Sequence, residues 1–157
     1  MKTRSRIRID SLFPHLNDPA YQKLADLEEL VANFIARRST SAFKQRLQRG
    51  IAKLSEALVD YAGDEPGAAG EPVLVEALRN CRRIACAVHM LYRAGIFARR
   101  LAQAAFELVA DIVQILIERL CETRGLEPPG LLRRPVLEPL EGDVTDEPEG
   151  GAPPLSS

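Results

Sequence analysis

Six arginines and no acidic residue lie between residues 79 and 100, in a stretch whose apolar residues recur at helical spacing. The six are Arg79, Arg82, Arg83, Arg93, Arg99 and Arg100. A second acid-free cluster, residues 37–53, contains Arg37, Arg38, Lys44, Arg46, Arg49 and Lys53. Guanidinium and ammonium groups form charge-assisted hydrogen bonds to phosphate. The two clusters therefore indicate a surface that contacts a polyanion.

On the predicted second helix, apolar residues at 43, 47, 51, 54 and 58 form a core seam, so the cations of that helix are expected to point outward. Few aromatic residues remain for base stacking, which favours binding to the backbone of RNA or single-stranded DNA with weak sequence preference. Three other interpretations stay open: a solvated arginine-rich face, an acidic protein partner, or competition from the acidic tail of the chain itself. The candidate nucleic-acid-binding residues are Arg37, Arg38, Lys44, Arg46, Arg49, Lys53, Arg79, Arg82, Arg83 and Arg93.

Helical periodicity predicts an all-α fold, with four helices at about 19–38, 42–62, 73–94 and 97–124. Near-equal lengths and short connections are typical of an antiparallel up-down four-helix bundle over residues 19–125. Asp18 and Pro19 form a start signal for the first helix, and Gly95 and Gly125 are candidate C-terminal caps. Residues 1–18 are expected to form an irregular basic arm.

The C-terminal region differs in composition from the rest of the chain. Residues 128–157 contain seven prolines and four glycines, and residues 135–157 carry six acids and no base, which leaves residues 1–134 with a net charge of +5. Such a segment buries too little apolar surface to offset the entropy lost on ordering. Residues 126–157 are therefore expected to form a disordered acidic tail.

The third and fourth helices carry more apolar residues than a single core seam uses. A wide apolar stripe is found in helices that are fully packed in a core, and also in helices whose second face meets another subunit. The second interpretation is favoured here, and it predicts a homo-oligomer. The candidate interface residues are Ile84, Leu91, Ile112, Val113 and Ile117.

The sequence carries no pattern that indicates catalysis, a cofactor or a metal. His15 and His89 are isolated, the Glu-x-x-His pair of di-iron bundles is missing, and so is a Gly-rich phosphate loop. The three cysteines, Cys81, Cys86 and Cys121, are interpreted as reduced thiols, mostly in the core. With no apolar run near the roughly 20 residues that span a bilayer, and no signal peptide, we expect a cytoplasmic, non-enzymatic protein without a membrane segment.

Four stretches, YQKLADLEELVANFI, FKQRLQRGIAKLSEALVDYA, ALRNCRRIACAVHMLYRAGIF and AAFELVADIVQILIERL, together resemble one four-helix-bundle superfamily. That superfamily includes the proteins encoded in 23S rRNA intervening sequences and Avd, the accessory protein of diversity-generating retroelements. The likeness covers roughly residues 20–122, and the Avd-like branch is favoured. The resemblance implies a barrel-like homopentamer with positive surfaces that binds a reverse transcriptase and RNA or DNA.

Two functions follow as hypotheses. The leading one is an oligomeric accessory protein that holds RNA or cDNA by its backbone beside a reverse transcriptase in a diversity-generating retroelement. The alternative is a protein–protein adaptor or scaffold without nucleic-acid binding. In that case either the basic faces contact an acidic partner, or LLRRPVLEPLEG acts as a short recognition motif.

Overall fold

The computed structural model describes residues 13–37, 41–63 and 70–140, and every regular element within them is helical. The four α-helices each pack on the next along the chain, and the last packs on the first, so that together they enclose one core. The predicted all-α four-helix bundle is confirmed. A short 3-10 helix, Pro14–Asn17, precedes α1 (Pro19–Ala36), α2 (Ala42–Gly63), α3 (Gly70–Arg93) and α4 (Arg99–Thr123).

Two ion pairs define the direction of α4 relative to its neighbours. Asp18, at the start of α1, pairs with Arg119 near the end of α4, and their closest N···O distance is 2.6 Å. Glu71, at the start of α3, pairs with Arg124 just beyond α4, also at 2.6 Å. Helix α4 therefore runs antiparallel to both α1 and α3, as an up-down bundle requires.

The predicted helix-end signals act as expected. Asp18 Oδ1 accepts a hydrogen bond of 2.8 Å from the Ala20 backbone N–H at the start of α1. Gly95 and Gly125 adopt φ values of 76° and 68°, the left-handed conformation that glycine adopts without a Cβ penalty. In each case the next N–H bonds a carbonyl five residues back, Ile96 to Leu91 and Leu126 to Cys121, which completes a Schellman cap.

Three helix boundaries differ from the prediction by two or three residues, and three others by a single residue. Helix α1 ends at Ala36 instead of 38, and α3 begins at Gly70 instead of 73. Pro72 thus lies inside the first turn of α3, where a backbone N–H has no helical partner to lose. Helix α4 begins at Arg99 instead of 97, because Phe97 turns inward from the preceding loop and packs edge-to-face on Phe34, with ring centroids 4.7 Å apart.

The prediction of a subunit interface is wrong for three of its five residues. Ile84, Leu91 and Ile112 are fully buried within the single chain, because α3 packs on both α2 and α4, and α4 packs on both α3 and α1. For these residues the fully packed core is the correct interpretation of the wide stripe. Val113 and Ile117 are half-buried, and their role between subunits stays a prediction.

The C-terminal region is only partly as predicted. Residues 126–140 have no regular secondary structure, but residues 130–140, here called the strap, run back along α4 and are held by hydrogen bonds. Leu137 and Leu140 pack against the core. The expectation of disorder is therefore wrong for this segment. Residues 141–157, residues 1–12 of the predicted arm and Arg38 lie outside the described residues.

None of the helices in the described ranges combines the length and the hydrophobicity needed to cross a bilayer.

Candidate nucleic-acid interface

A cavity of about 450 Å³ lies between α2 and α3, and its cationic lining comes from both basic clusters. Arg46, Arg49 and Lys53 of α2 are spaced by three and four residues, which places them on one helix face. Arg83 faces them from α3. The helix pairing thus brings together charges that are far apart in the sequence. We call this cavity the basic groove.

Gly50 allows α2 and α3 to approach closely at the groove. A Cβ at this position would lie 2.8 Å from Ile84 Cγ1, well inside normal contact distance. Glycine in a helix interior costs roughly 0.5–1 kcal/mol relative to alanine, so its place in the middle of α2 indicates a packing requirement. The close approach sets the width of the groove that Arg49 and Arg83 line.

A buried amide orients Arg83. Asn80 is fully buried, and its Oδ1 accepts a hydrogen bond of 3.2 Å from Arg83 Nη1. Asn80 Nδ2 donates in turn to the Glu76 backbone carbonyl at 3.1 Å, which fixes the amide. The same guanidinium lies 3.9 Å from Glu76 Oε1, a long and solvent-exposed ion pair that contributes little. Arg83 is therefore positioned at the groove mainly by Asn80.

Phe43 orients the cation at the other end of the groove. The Arg46 guanidinium carbon lies 5.4 Å from the centroid of the half-buried Phe43 ring, within range of a cation–π contact. This contact holds Arg46 at the rim without neutralising its charge. A base that stacked on this face of the Phe43 ring would compete with the Arg46 guanidinium.

The charges along the space between α2 and α3 are polarised. Neither Arg49 nor Lys53 has an ion-pair partner among the residues that the structure describes. Beyond Lys53, the acidic side chains Glu56, Asp60 and Glu76 line the adjoining space. An anion is therefore attracted to the end nearer Arg46 and repelled from the end nearer Asp60.

The prediction that Lys44 is an exposed cation is wrong. Lys44 is only 7% exposed, and its Nζ donates a hydrogen bond to the Arg37 backbone carbonyl. This bond satisfies the end of α1, where carbonyl groups lack helical partners. The side chain thus links α1 to α2 and does not line the basic groove.

The structure does not bring the other described cations of the prediction into the groove. Arg37, Arg79, Arg82 and Arg93 are exposed but do not line it. Arg79 pairs with Glu76 at 3.4 Å on the helix surface. Arg82 comes one residue before Arg83, which is a rotation of about 100° around α3, so it projects from a different side of the helix. These residues belong to a broader basic surface and not to the converging set.

The cysteines and histidines do not form a second site in the described part of the chain. Cys81 is buried, and desolvation raises the pKa of its thiol to about 12. Cys86 is exposed and borders the basic groove, so the core interpretation is wrong for this residue. No cluster of three or more histidine, cysteine or carboxylate residues that could hold a metal occurs in residues 13–37, 41–63 and 70–140.

Sequence reasoning missed the residues that shape the groove without carrying charge. Gly50, Asn80 and Phe43 set its width and orient two of its arginines. A glycine in the middle of a helix and an asparagine on a core-facing position were the available signals, because both residue types are unfavourable in helix interiors.

Comparisons with known proteins do not identify a family. No protein-family model, curated protein or solved structure matches the chain. The resemblance to the superfamily that includes Avd therefore stays a prediction.

Proposed function

We propose that the chain is a non-enzymatic accessory protein that binds the phosphate backbone of RNA or single-stranded DNA in the basic groove. The observation that carries this proposal is the convergence of Arg46, Arg49, Lys53 and Arg83 from two helices on one cavity. Arginine forks match phosphate geometry and lose little hydration on pairing, so four cations that line one cavity favour a polyanion over an isolated carboxylate.

The shape of the groove supports a single strand over a duplex. The cations on α2 extend from Arg46 to Lys53, about 10 Å along the helix axis at ~1.5 Å per residue. A cavity of about 450 Å³ admits a short length of backbone, whereas a duplex would meet only its rim. The acidic groups beyond Lys53 limit how far a strand extends in that direction.

The polar groups of the groove support weak sequence preference. Base readout needs free donors and acceptors at fixed positions. Among the residues that the structure describes, Asn80 is the one side-chain amide that lines the groove, and both ends of that amide are already bonded within the protein. Binding in this proposal therefore depends on phosphate contacts, which do not distinguish one nucleotide sequence from another.

In this proposal the reverse transcriptase and the pentamer rest on the resemblance alone, whereas a homo-oligomer is also predicted from the wide apolar stripes. A reverse transcriptase would act on the bound strand, and a homo-oligomer, a pentamer in the superfamily that the chain resembles, would place several grooves in one particle. Several linked grooves raise the apparent affinity without any new contact, because the second binding event becomes intramolecular.

A matched pair of charge reversals tests the groove. Arg83→Glu and Arg82→Glu change neighbouring exposed residues by the same charge, but only Arg83 lines the groove. We expect Arg83→Glu to weaken binding of a fluorescent 20-nucleotide RNA at least tenfold, and Arg82→Glu by less than threefold, in fluorescence anisotropy. Equal losses would mean that diffuse charge binds the strand and would refute the groove. A wild-type chain that binds neither RNA nor single-stranded DNA at low salt would refute the function.

The second candidate, a protein–protein adaptor, is favoured by one observation. The predicted recognition motif is bound to a helix face of the same chain, so this face can bind an extended segment, which is what an adaptor requires.

A further inference from the structure

Two glutamines on α4 hold the strap by its main chain. Gln114 Nε2 donates to the Gly130 carbonyl at 2.8 Å, and Gln114 Oε1 accepts from the Leu132 N–H at 2.8 Å. Gln103 repeats the pattern eleven residues earlier, with the Pro135 carbonyl at 3.1 Å and the Leu137 N–H at 2.9 Å. Each amide therefore binds the carbonyl of one strap residue and the N–H of the residue two positions later.

The spacing of the two glutamines matches an extended chain. Eleven helical residues rise about 16.5 Å at ~1.5 Å per residue and return to nearly the same face. The bonded strap residues are five apart, and five extended residues also span about 16.5 Å at ~3.3 Å each. The side-chain amides of Gln103 and Gln114 thus bond the main chain of the strap as the main chain of an edge strand bonds an added peptide.

The strap sequence suits this extended conformation. Pro135 and Pro139 restrict φ, and the residues before them are biased away from helix. The strap N–H groups bonded to α4 are those of Leu132 and Leu137, so the prolines, which lack an N–H, remove none of these bonds. The residues between the bonded positions, Leu131 and Val136, point to solvent and are 92% and 80% exposed. The main chain is therefore presented to α4 in one fixed orientation.

Three side chains give the interaction its specificity. Leu137 and Leu140 pack against the core, three residues apart. Arg134, three residues before Leu137, pairs with Asp111 of α4. The Tyr92 hydroxyl donates to the Glu138 carbonyl and so fixes the C-terminal end of the strap. This face of α4 thus selects an extended chain with the pattern Arg-x-x-apolar-x-x-apolar.

The fit of the strap to this face is incomplete. A cavity of about 430 Å³ remains between α4 and the strap, bordered by Gln103, Glu107, Val136 and Leu137. The strap is attached through the glycine turn after α4, so its own effective concentration at the face is of the order of millimolar. A competing segment that fills the cavity gains contacts which the strap lacks.

We propose that this face of α4 is a docking site for a protein partner, and that the strap is its resident, displaceable ligand. The partner presents an extended segment with the pattern Arg-x-x-apolar-x-x-apolar, bound through its main chain by Gln103 and Gln114. The strap identifies this chemistry because it occupies the site with all of these contacts. The site lies on α4, with Tyr92 of α3 at one end, and does not share residues with the basic groove.

A labelled peptide with the sequence of residues 129–141 tests the proposal as a probe. In the full chain, Leu137→Asp with Leu140→Asp releases the resident strap without altering α4. We expect this opened chain to bind the probe at least tenfold more tightly than the wild type in fluorescence anisotropy. Adding Gln103→Met and Gln114→Met to the opened chain should reverse that gain. A probe with aspartate at the positions of Leu137 and Leu140 should not bind.

A milder variant decides the matter if the opened chain folds poorly. Leu137→Pro removes only one N–H donor and keeps an apolar side chain, so a chain with this change should retain its helical circular dichroism and show an intermediate gain. A folded opened chain that does not bind the probe would overturn the proposal. A dimer that grows with wild-type concentration and dissociates on adding the probe would identify a second copy as the occupant, and would overturn the assignment to a different protein.

Discussion

Gly50 of α2 lies directly against Ile84 of α3, so close that a Cβ on residue 50 would come within 2.8 Å of Ile84 Cγ1. This contact sets the separation of the two helices at the point where Arg49 and Arg83 face each other across the basic groove. The proposed phosphate site thus depends on a pair of uncharged residues in the helix interface.

Gly50→Ala should lower the free energy of unfolding by about 1 kcal/mol, since steric overlap costing about 1–3 kcal/mol outweighs the roughly 1 kcal/mol gain in helix propensity. Urea unfolding measures the effect. Ile84→Ala removes the atom that alanine would meet, so the double variant should be more stable than the sum of the single changes predicts, by about 1 kcal/mol or more. Strict additivity would mean that the helices separate freely at this point.

Asp18→Asn isolates the ion pair between α1 and α4, because asparagine caps a helix about as well as aspartate. Asp18 and Arg119 form two hydrogen bonds, of 2.6 and 3.0 Å, and Arg119 also lies 5.2 Å from the Tyr61 ring centroid. The side chains are only 6% and 19% exposed, so loss of the pair should cost about 3 kcal/mol in guanidinium unfolding, the lower end of the range for buried pairs.

Glu71→Gln is the matched control, because it breaks the more exposed pair with Arg124. An exposed pair is worth about 0–1 kcal/mol. Equal losses for Asp18→Asn and Glu71→Gln would show that burial does not strengthen the pair between α1 and α4.

The buried thiol of Cys81 should make stability depend on pH in the alkaline range. Burial raises the pKa of this thiol from its ordinary value of 9.0 to about 12. Between these values the unfolded chain has lost the proton that the folded chain keeps, so the free energy of unfolding falls as pH rises, by about 1.4 kcal/mol per pH unit. Cys81→Ala should remove this component when urea unfolding is compared from pH 8 to 11. An unchanged slope in Cys81→Ala would contradict the assignment.

The bundle was predictable because its signals are local. Asp18, Gly95 and Gly125 act through the few residues beside them, and a helical apolar period needs no knowledge of the partner helix. The buried core residues followed from the same period, although the choice between core and subunit interface did not. Ile84, Leu91 and Ile112 looked surplus because one helix was considered at a time, whereas each helix is covered by two neighbours.

The groove and the strap were less predictable because they depend on pairing between distant segments. Charge and helical spacing identified Arg46, Arg49, Lys53 and Arg83, but nothing local distinguished them from Arg82. Lys44 was misassigned because the end of α1 supplies an acceptor that the helical pattern of α2 does not reveal. The composition of residues 128–140 indicated disorder, whereas two glutamines on α4 supply the hydrogen bonds that order this segment.

The salt dependence of RNA binding tests the central claim most directly. Four phosphate contacts on a single strand predict a slope of about −3 for log Kobs against log salt concentration, so affinity should fall about fiftyfold between 50 and 200 mM salt. Arg83→Glu should reduce the magnitude of that slope by the contribution of about one phosphate contact, and Arg82→Glu should leave the slope unchanged. A wild-type slope near zero, or equal flattening by the two reversals, would contradict phosphate binding in the groove between α2 and α3.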